Sequence, residues 1–460
     1  MITRASLLAL FLAIGSVLSA RQDSIGATAI VDATVIPMTS NTIVLSNHTV
    51  VIRGDRITSV GPTATSGVPK EARRIDGRGK FVIPGLADMH VHLEYFDQPD
   101  ILGLFVANGV TTIRNMDGRP YILEWRKKAA TGQLAVPRIY SAGPLLDGSP
   151  PVRPDNTVVS SPVDAREHVE KQAAAGYDFI KVYSALSPDV YREILVAAVM
   201  TQMPVAGHVP RAVGLDSALA SGIRSIEHLG DYASAIEADA SPFKGKGHWS
   251  KRYLSSPIDN ARLAALAGRQ AKSGVWSVPT LVQPLRELLR VDEINSRLAA
   301  DEVRYIPASG REQWREMATR ITKRMDDADW ALIADGVRHR RQVVGAFRRA
   351  GVKLAAGTDT PNPFVVPGFS LHEELSLLVD AGLSPAEALA ATTREAARLM
   401  STNDWGTVAA GQAADLVLLD ANPLVQIGNT RQIDSVMLRG RLVSASDCRA
   451  MLDAIARTSR

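Results

Sequence analysis

A chain of 460 residues is long enough for one large domain and one smaller unit built around a sizeable core. Hydrophobic residues make up 46% of it, and 52 Lys and Arg residues nearly balance 48 Asp and Glu residues. This composition excludes a disordered chain and gives no sign of a nucleic-acid-binding protein.

The N-terminus has the pattern of a secretory signal peptide over residues 1–20. Arg4 precedes an apolar run over 7–17, and small residues at 18–20 come before the polar stretch that follows. The run is too short for a comfortable membrane span, and an uncleaved N-terminal anchor is the alternative. We therefore expect a periplasmic or secreted protein with no stable membrane association after cleavage. Cys448 is the only cysteine, so we expect no internal disulfide.

A small β domain is predicted from both ends of the mature chain. Over 21–83, short β-branched runs alternate with turn residues, and Gly54-Asp55 separates two of the runs as in a hairpin. Similar strands return over 405–445. Neither part is long enough for a stable sheet of its own, so we expect the two to build one β-sandwich. Residues 446–460 are predicted to be a polar, basic and frayed tail.

Between these parts, over 84–404, short apolar strands alternate with segments of helical periodicity. The candidate strands are Leu86–Val91, Thr111–Arg114, Arg138–Ser141, Phe179–Tyr183, Val205–His208, Ser225–His228, Val275–Thr280 and Lys353–Gly357. Strand–helix units in this number predict an α/β fold, a (β/α)8 TIM barrel carrying the small β-sandwich domain. A charged helical stretch over 283–350 is predicted to be an insertion. It is interpreted as a lid, an extra helical layer or a dimerisation surface, which leaves a homo-oligomer open.

The first barrel strand ends in two histidines, His90 and His92, within the stretch FVIPGLADMHVH. Side chains on a strand alternate between its faces, so both imidazoles point the same way, about 7 Å apart along the strand. An isolated His-x-His is more often chance than half of a metal site, so the assignment depends on further ligands. Catalytic groups of such barrels lie at the C-terminal ends of the strands.

Further candidates fall at those ends. Lys181 lies in the fourth strand, His208 closes the fifth, His228 closes the sixth and Asp359 follows the eighth. The remaining histidines lie in loops or helical stretches and are predicted to be surface or ordinary packing residues: His48, His168, His248, His339 and His372.

These residues, with the stretch PGLADMHVHL and the closing runs SPAEALAATTREAARLM and WGTVAAGQAADLVLLDANPL, resemble the amidohydrolase superfamily. Within it they most resemble the branch of imidazolonepropionase-like proteins and metal-dependent Xaa-Pro dipeptidases and carboxypeptidases. The resemblance covers nearly the whole mature chain. It is specific because the histidines, the lysine and the aspartate appear in the family's order on successive strands.

The resemblance implies a binuclear site with six metal ligands, which in chain order are His90, His92, Lys181, His208, His228 and Asp359. The first two and the last would hold the more buried metal, and the two later histidines the more exposed one. The lysine, carboxylated by carbon dioxide, would bridge them. Four imidazoles and two anionic oxygen donors suit two Zn²⁺ ions best, with iron, manganese and cobalt also compatible. The alternative for Lys181 is a barrel lysine in a salt bridge.

The same resemblance implies the reaction. A hydroxide bridging two cations would attack an amide carbon, with Asp359 as general base and then as general acid toward the leaving nitrogen. Tyr183 lies two residues beyond Lys181 on the same face and is a candidate substrate residue that could donate to the tetrahedral oxygen; packing at the rim is the alternative. Asn115 stands where relatives usually have an aspartate, so no role is transferred to it.

We therefore expect an exported, metallopeptidase-like hydrolase that cleaves an amide C–N bond in a dipeptide, an N-acyl amino acid or an amide-linked toxin. One alternative is a mononuclear deaminase or cyclic-amide hydrolase of the same superfamily, against which Lys181 argues. The other is a non-catalytic binding protein on the same fold, against which the complete ligand set argues. The expected partner is a small amide or peptide, and no nucleic acid.

Overall fold

The computed structural model describes residues 26–244 and 255–459. The signal peptide predicted over 1–20 lies outside the described residues, as does His248. Within the described part, no helix is both long and apolar enough to cross a lipid bilayer.

Strands and helices are numbered here in chain order. The strands are β1 Thr28–Val35, β2 Leu45–Arg53, β3 Arg56–Pro62, β4 Arg73–Asp76, β5 Phe81–Pro84, β6 Leu86–Val91, β7 Val110–Asn115, β8 Arg138–Ser141, β9 Leu146–Asp147, β10 Thr157–Val158, β11 Ile180–Val182, β12 Val205–Gly207, β13 Ser225–Glu227, β14 Trp276–Val278, β15 Leu416–Leu419, β16 Ile433–Leu438 and β17 Arg441–Ser444. The α-helices are α1 Gly103–Ala107, α2 Pro120–Ala130, α3 Pro162–Ala175, α4 Pro188–Met200, α5 Leu215–Ala220, α6 Ala233–Ile236, α7 Asn260–Ser273, α8 Val282–Glu287, α9 Val291–Leu298, α10 Ala308–Thr322, α11 Asp327–Ala350, α12 Phe369–Asp380, α13 Pro385–Ala391, α14 Arg394–Leu399 and α15 Ala445–Thr458. Short 3-10 helices span Leu93–Tyr95, Pro99–Leu102, Gly230–Tyr232, Asp301–Tyr305 and Ile427–Arg431.

Strands from both ends of the described chain form the small β domain. They lie in one hydrogen-bonded sheet in the order β17-β16-β15-β5-β1-β2-β3, with β4 paired to β1. β5 joins the two parts, because it pairs in parallel with β1 and antiparallel with β15. Side chains such as Ile30, Val50 and Leu418 are fully buried in a core of their own. The small domain therefore depends on both terminal segments.

The barrel is built from parallel strands. β6, β7 and β8 form one run, and β9, β11, β12, β13 and β14 form another, with β10 at its edge. Isolated parallel bridges join the two runs and close the ring: Ala142 with Phe179, Ser277 with Leu354 and Val91 with Thr360. Together with the small sheet domain, this arrangement confirms the predicted fold.

The eighth barrel segment differs from its prediction. Lys353–Gly357 was expected to be a strand, but within it only Leu354 forms a bridge. The segment is held by single backbone hydrogen bonds, such as the one that Met89 N donates to Ala356 O over 2.9 Å. Gly357 packs directly on the first strand, where an added Cβ would lie 2.8 Å from the Cβ of His90. This close approach brings the residues that follow, including Asp359, next to the first strand.

The stretch predicted as an insertion over 283–350 is largely helical, from α8 to α11. The second half of α11 buries Val343, Val344 and Phe347. The ring of Phe347 lies 5.2 Å from that of Tyr232, which follows the sixth strand. The end of this stretch is therefore a helix of the barrel's outer layer, and only the part before it is added to the barrel.

The prediction of a frayed tail over 446–460 is wrong for residues 446–458, because these belong to helix α15. Ser444 caps it: the Ser444 hydroxyl accepts from Asp447 N over 3.2 Å, and the Asp447 carboxylate accepts from Ser444 N over 2.8 Å. Cys448 and Ile455 are buried, whereas the basic residues of the helix are exposed. Their spacing of seven residues is typical of one face of a helix, but the polar and basic residues around them hide this pattern in the sequence.

Candidate metal centre

Asp359 forms the centre of the predicted ligand set. Ligand atoms of His90, His228 and Asp359 all lie within 4.8 Å of one another. Asp359 Oδ1 lies 3.3 Å from Nε2 of His90 and 3.2 Å from Nε2 of His92, while Oδ2 lies 3.8 Å from Nε2 of His228. One carboxylate therefore faces imidazoles from the first and the sixth barrel strands.

The predicted site rings form a continuous row. The centroid distances are 5.4 Å from His92 to His90, 4.6 Å from His90 to His228, 4.9 Å from His228 to His208 and 4.1 Å from His208 to Tyr183. The structure thus brings together the histidines of the first, fifth and sixth strands, which are far apart in sequence. It also places Tyr183 at the end of the row.

Burial divides the row. His90, His92 and Asp359 are buried, whereas His208 and His228 are partly exposed, with the side chain of His228 at 22%. These are the same two groups into which the family resemblance divides the ligands. The exposed end of the row is the end from which a substrate can approach.

Three non-glycine residues around the centre have left-handed backbone angles. The φ angle is 62° at His228, 47° at Thr280 and 64° at Asp359. This region is unfavourable for residues with a Cβ, at about 1–3 kcal/mol each, and such strain concentrates at functional sites. Backbone hydrogen bonds hold two of them: Asp359 N donates to His90 O over 2.7 Å, and His228 N donates to Val278 O over 2.8 Å.

Lys181 is the most unusual residue of the set. It is 1% exposed, and its Nζ has no hydrogen-bond partner in the described part of the chain. Burial lowers the pKa of this amine to about 8, although the charges of Glu227 and Asp359 act in the opposite direction. The described residues also form no ion pair with it, so the salt-bridge alternative has no support here.

The two partly exposed histidines, His208 and His228, are neutral and can act as metal ligands. Burial lowers the pKa of His228 to about 3. The pKa of His208 is also well below its usual range, because of burial and then the charge of Lys181. Neutral imidazoles keep a free lone pair at neutral pH, as metal coordination requires.

Neighbouring charges shift the pKa values of the two buried groups Asp359 and His92 more strongly. Burial alone would raise the pKa of Asp359, but the charges of His90 and His228 hold it well below its usual range. For His92, burial acts to lower the pKa, and it is outweighed by Glu94 and Asp359, which raise the pKa to about 10. Asp359 is therefore an ionised carboxylate that can accept a proton or a cation.

The residues present fit a divalent metal. Three buried polar atoms of the centre make no hydrogen bond in the described chain: His90 Nε2, Asp359 Oδ1 and Lys181 Nζ. Imidazole nitrogens and carboxylate oxygens are ligands that Zn²⁺ and similar cations accept. Leaving such atoms unpaired in a buried site is costly unless something binds them.

A buried charged network, which the sequence did not predict, lies behind His90. Glu227 Oε2 accepts from His90 Nδ1 over 2.8 Å, while Oε1 accepts from Arg114 over 2.7 Å and from the Ser225 hydroxyl over 2.5 Å. Arg114 Nε also donates to Met89 O over 2.7 Å. Opposite charges inside two otherwise apolar barrel strands, in TTIRN and SIEH, were the signal that could have revealed the pair.

Glu94 was missed as well. Its Oε1 accepts from Nδ1 of His92 over 2.6 Å, and its side chain is 5% exposed. Asn115, which replaces the family's aspartate, accepts from Leu93 N over 2.7 Å and donates to Ser141 Oγ over 3.0 Å. It therefore anchors the chain just after His92. Of the histidines predicted to be packing residues, His372 is buried and bonded to the Thr430 hydroxyl over 2.9 Å.

Comparison with known proteins supports this assignment. Residues 81–443 match the Amidohydrolase family. Imidazolonepropionase of Klebsiella pneumoniae subsp. pneumoniae is 23% identical over 399 residues, covering 83% of this chain and 88% of that protein. The solved structure of bottromycin amidohydrolase has a TM-score of 0.75 and 25% identity, covering 96% of this chain and 93% of the other.

A further solved structure, of a Xaa-Pro dipeptidase with bound methionine in the active site, has a TM-score of 0.66 and 21% identity, covering 91% of this chain and all of that one, 100%. At this identity the likeness shows the fold. The family match spans the barrel and the strands β5, β15, β16 and β17 of the small sheet domain up to residue 443, and thus more than half of the chain. The chain therefore belongs to the amidohydrolase family, the metal-dependent hydrolases that act on carbon–nitrogen bonds.

Proposed function

We propose that this protein is an exported, binuclear metal-dependent amidohydrolase that cleaves the amide bond of a dipeptide or an N-acyl amino acid. The observation that supports a two-metal site most directly is Lys181. A buried amine without a partner destabilises a barrel that has no use for it. Carboxylation would convert it into an anionic oxygen ligand between two groups of imidazoles.

The environment of Lys181 suits this modification. Only the neutral amine attacks carbon dioxide: a C–N bond forms, one proton leaves and a carbamate anion results. Because burial lowers the pKa of Lys181 to about 8, a sizeable fraction of the amine is neutral near physiological pH. The positive charge that would otherwise repel a cation is then replaced by a negative one.

The residues that would hold the cations are the carboxylated Lys181 with His90, His92 and Asp359 on the buried side, and His208 and His228 on the exposed side. When bound, the cations supply Lewis acidity toward water and the scissile carbonyl. We propose zinc for both positions, given the ligand types.

Asp359 would move the proton. As an ionised carboxylate, it accepts a proton from the attacking water and delivers it to the leaving nitrogen as the C–N bond breaks. Tyr183 would donate its hydroxyl proton to the carbonyl oxygen; its ring lies 4.1 Å from that of His208 at the exposed end of the row, which supports this role.

One observation favours a second candidate, a mononuclear deaminase or cyclic-amide hydrolase. His90, His228 and Asp359 alone could hold a single ion, since their ligand atoms lie within 4.8 Å of one another. The imidazolonepropionase relative is in line with this. In a one-metal enzyme, however, the buried Lys181 would have no function.

The substrate class is inferred from the names of the similar proteins, a Xaa-Pro dipeptidase and bottromycin amidohydrolase. Export is inferred from the signal-like pattern of residues 1–20. Cell fractionation of the full chain and of a chain lacking 1–20 tests the localisation: the full chain should leave the cytoplasm, and the shortened chain should stay in it.

Metal content and substrate screening test the chemistry together. Zinc-loaded protein is assayed against dipeptides and N-acyl amino acids with varied C-terminal residues, and against lactones, cyclic ureas and an imidazolone. We expect close to two zinc ions per chain and release of a C-terminal amino acid from part of the first panel. Asp359→Asn serves as the inactive control. One metal per chain with turnover of cyclic substrates alone would instead support the mononuclear candidate.

A further inference from the structure

The two histidines of the His-x-His pair are each supported by a carboxylate. Nδ1 of His90 donates to Glu227 over 2.8 Å, and Nδ1 of His92 donates to Glu94 over 2.6 Å. Because a carboxylate only accepts, each imidazole must carry a proton on Nδ1. Nε2, on the side where Asp359 Oδ1 lies 3.2–3.3 Å away, is then the nitrogen that faces a cation.

The other two histidines are supported by hydroxyl groups. Nδ1 of His228 lies 2.7 Å from Thr280 Oγ1, and Nδ1 of His208 lies 3.4 Å from Ser184 Oγ. A hydroxyl can donate or accept, so it does not fix which imidazole nitrogen carries the proton. It also adds no charge near the imidazole.

The side chains of both glutamates are buried in the protein. Glu227 is fully buried, and Arg114 and Ser225 hold its other oxygen. Arg114 in turn donates to a main-chain carbonyl of the first strand, Met89 O. Glu94 is nearly buried and follows His92 by two residues, and its second oxygen has no hydrogen-bond partner in the described chain. Glu227 is therefore fixed at both of its oxygens, whereas Glu94 is positioned by its burial and by its hydrogen bond to His92.

A carboxylate behind a metal-bound imidazole fixes the ring, makes it a stronger donor and adds negative charge near the cation. Removing such an outer partner typically lowers metal affinity by about 10–100-fold. The two halves of the centre differ in this respect, with two carboxylates behind one and none behind the other.

Given the two-metal site proposed above, we infer that the position served by His90 and His92 fills first and holds its divalent cation at least about tenfold more tightly than the position served by His208 and His228. Glu227 and Glu94 are the positioning residues that set this difference. The second cation is then the exchangeable one, and its occupancy follows the free metal concentration.

Zinc titration of the metal-free full chain against a chromophoric chelator, in bicarbonate-containing buffer, tests the inference without any substrate. The wild type should show two binding steps. Glu94→Gln should weaken the tighter step by about 10–100-fold and leave the weaker step within about threefold. Glu71→Gln, on the surface of the small sheet domain with 65% of its side chain exposed, is the charge-matched control and should leave both steps unchanged.

Glu227→Gln should act like Glu94→Gln on the tighter step. Glu227→Gln leaves Arg114 buried without its charge partner, which is strongly destabilising. If this variant does not fold, Glu94→Gln alone tests the inference. Histidine ¹⁵N chemical shifts give a second measurement, in which Glu94→Gln should disturb the Nδ1–H form of one imidazole. Ser184→Ala should change the weaker step alone.

Two zinc ions that bind with equal affinity, or a tighter step that Glu94→Gln leaves unchanged, would overturn the inference. Binding of one ion in total would overturn both the inference and the two-metal proposal. Two unequal steps in a protein that hydrolyses no amide would leave the inference standing and remove the proposed activity.

Discussion

Replacing Lys181 by methionine separates the stability of the barrel from its chemistry. Methionine keeps much of the length of the side chain and removes the amine. In the metal-free protein Lys181 is 1% exposed and its Nζ has no hydrogen-bond partner among the described residues, so the cost of burying its charge exceeds the attraction of Glu227 and Asp359. We expect Lys181→Met to stabilise the metal-free chain while it abolishes hydrolysis.

The magnitude follows from the pKa of the amine. Burial lowers it from 10.5 to about 8, which corresponds to about 3 kcal/mol at 1.36 kcal/mol per pH unit. Below pH 8 the folded and unfolded chains both bind the proton, and the full cost is present. Between pH 8 and 10.5 the folded chain has released the proton that the unfolded chain still binds, so the wild type gains stability as pH rises. The advantage of methionine should therefore be greatest below pH 8 and fade by pH 10.5.

Thermal unfolding in a chelator-containing, carbon-dioxide-free buffer measures this difference. For a chain of 460 residues, about 3 kcal/mol corresponds to a rise in Tm of roughly 3 °C. Lys171→Met is the matched control, since that side chain is 70% exposed, and its Tm should stay close to that of the wild type. A lower Tm for Lys181→Met at pH 7, or a difference independent of pH, would refute the reasoning.

The same variant, loaded with zinc, should lose the more weakly held ion and at least about 100-fold in kcat/KM, more than an outer partner of a ligand usually contributes. Metal analysis and turnover of the best substrate check this. A variant that keeps two zinc ions and full activity would show that the lysine bridges nothing.

Four further outcomes are expected. Asp359→Asn should lower kcat by at least about 100-fold, the lower end of the usual contribution of a general acid–base group, with an unchanged fold by circular dichroism. Tyr183→Phe should retain both metals and lose about 10-fold in kcat if its hydroxyl donates to the developing oxyanion, whereas a rim packing role predicts no loss. Because Glu94 and Asp359 raise the pKa of His92 to about 10 against its burial, zinc must displace a proton there; the apparent zinc affinity should rise by up to about tenfold per pH unit between pH 7 and 9, measured by chelator competition. Ile455→Ala should cost about 2–4 kcal/mol of unfolding free energy, seen as a lower Tm, because α15 is packed rather than frayed.

The sequence predicted the features that follow from hydrophobic periodicity and from the spacing of the candidate ligands. Apolar strands at regular intervals identified the barrel, and the strand-end histidines with Asp359 identified the cluster that the structure brings together. Position at a strand end is a strong signal because parallel strands of a barrel place their C-terminal ends at one face. The two-part sheet domain followed from the alternation at both ends of the chain.

Other features depend on packing that one sequence does not show. Glu227 looked like one more charged residue before His228, because the pairing with Arg114 joins strands that are 113 residues apart. The eighth segment forms only an isolated bridge to Ser277, and Gly357 packs tightly on His90; propensities reveal neither feature. Helix α15 was obscured because its two buried positions, Cys448 and Ile455, lie seven residues apart among polar and charged residues.

The two-metal proposal requires six side chains from five segments of the barrel to hold two cations at one end of it. Anomalous diffraction at the zinc absorption edge from crystals of the zinc-loaded chain, grown with bicarbonate, measures this directly. We expect two peaks about 3.5–4 Å apart, one beside His90 and His92 and the other beside His208 and His228, with carbamate density on Lys181 between them. A single peak, or zinc bound away from Asp359 with an unmodified lysine, would contradict it.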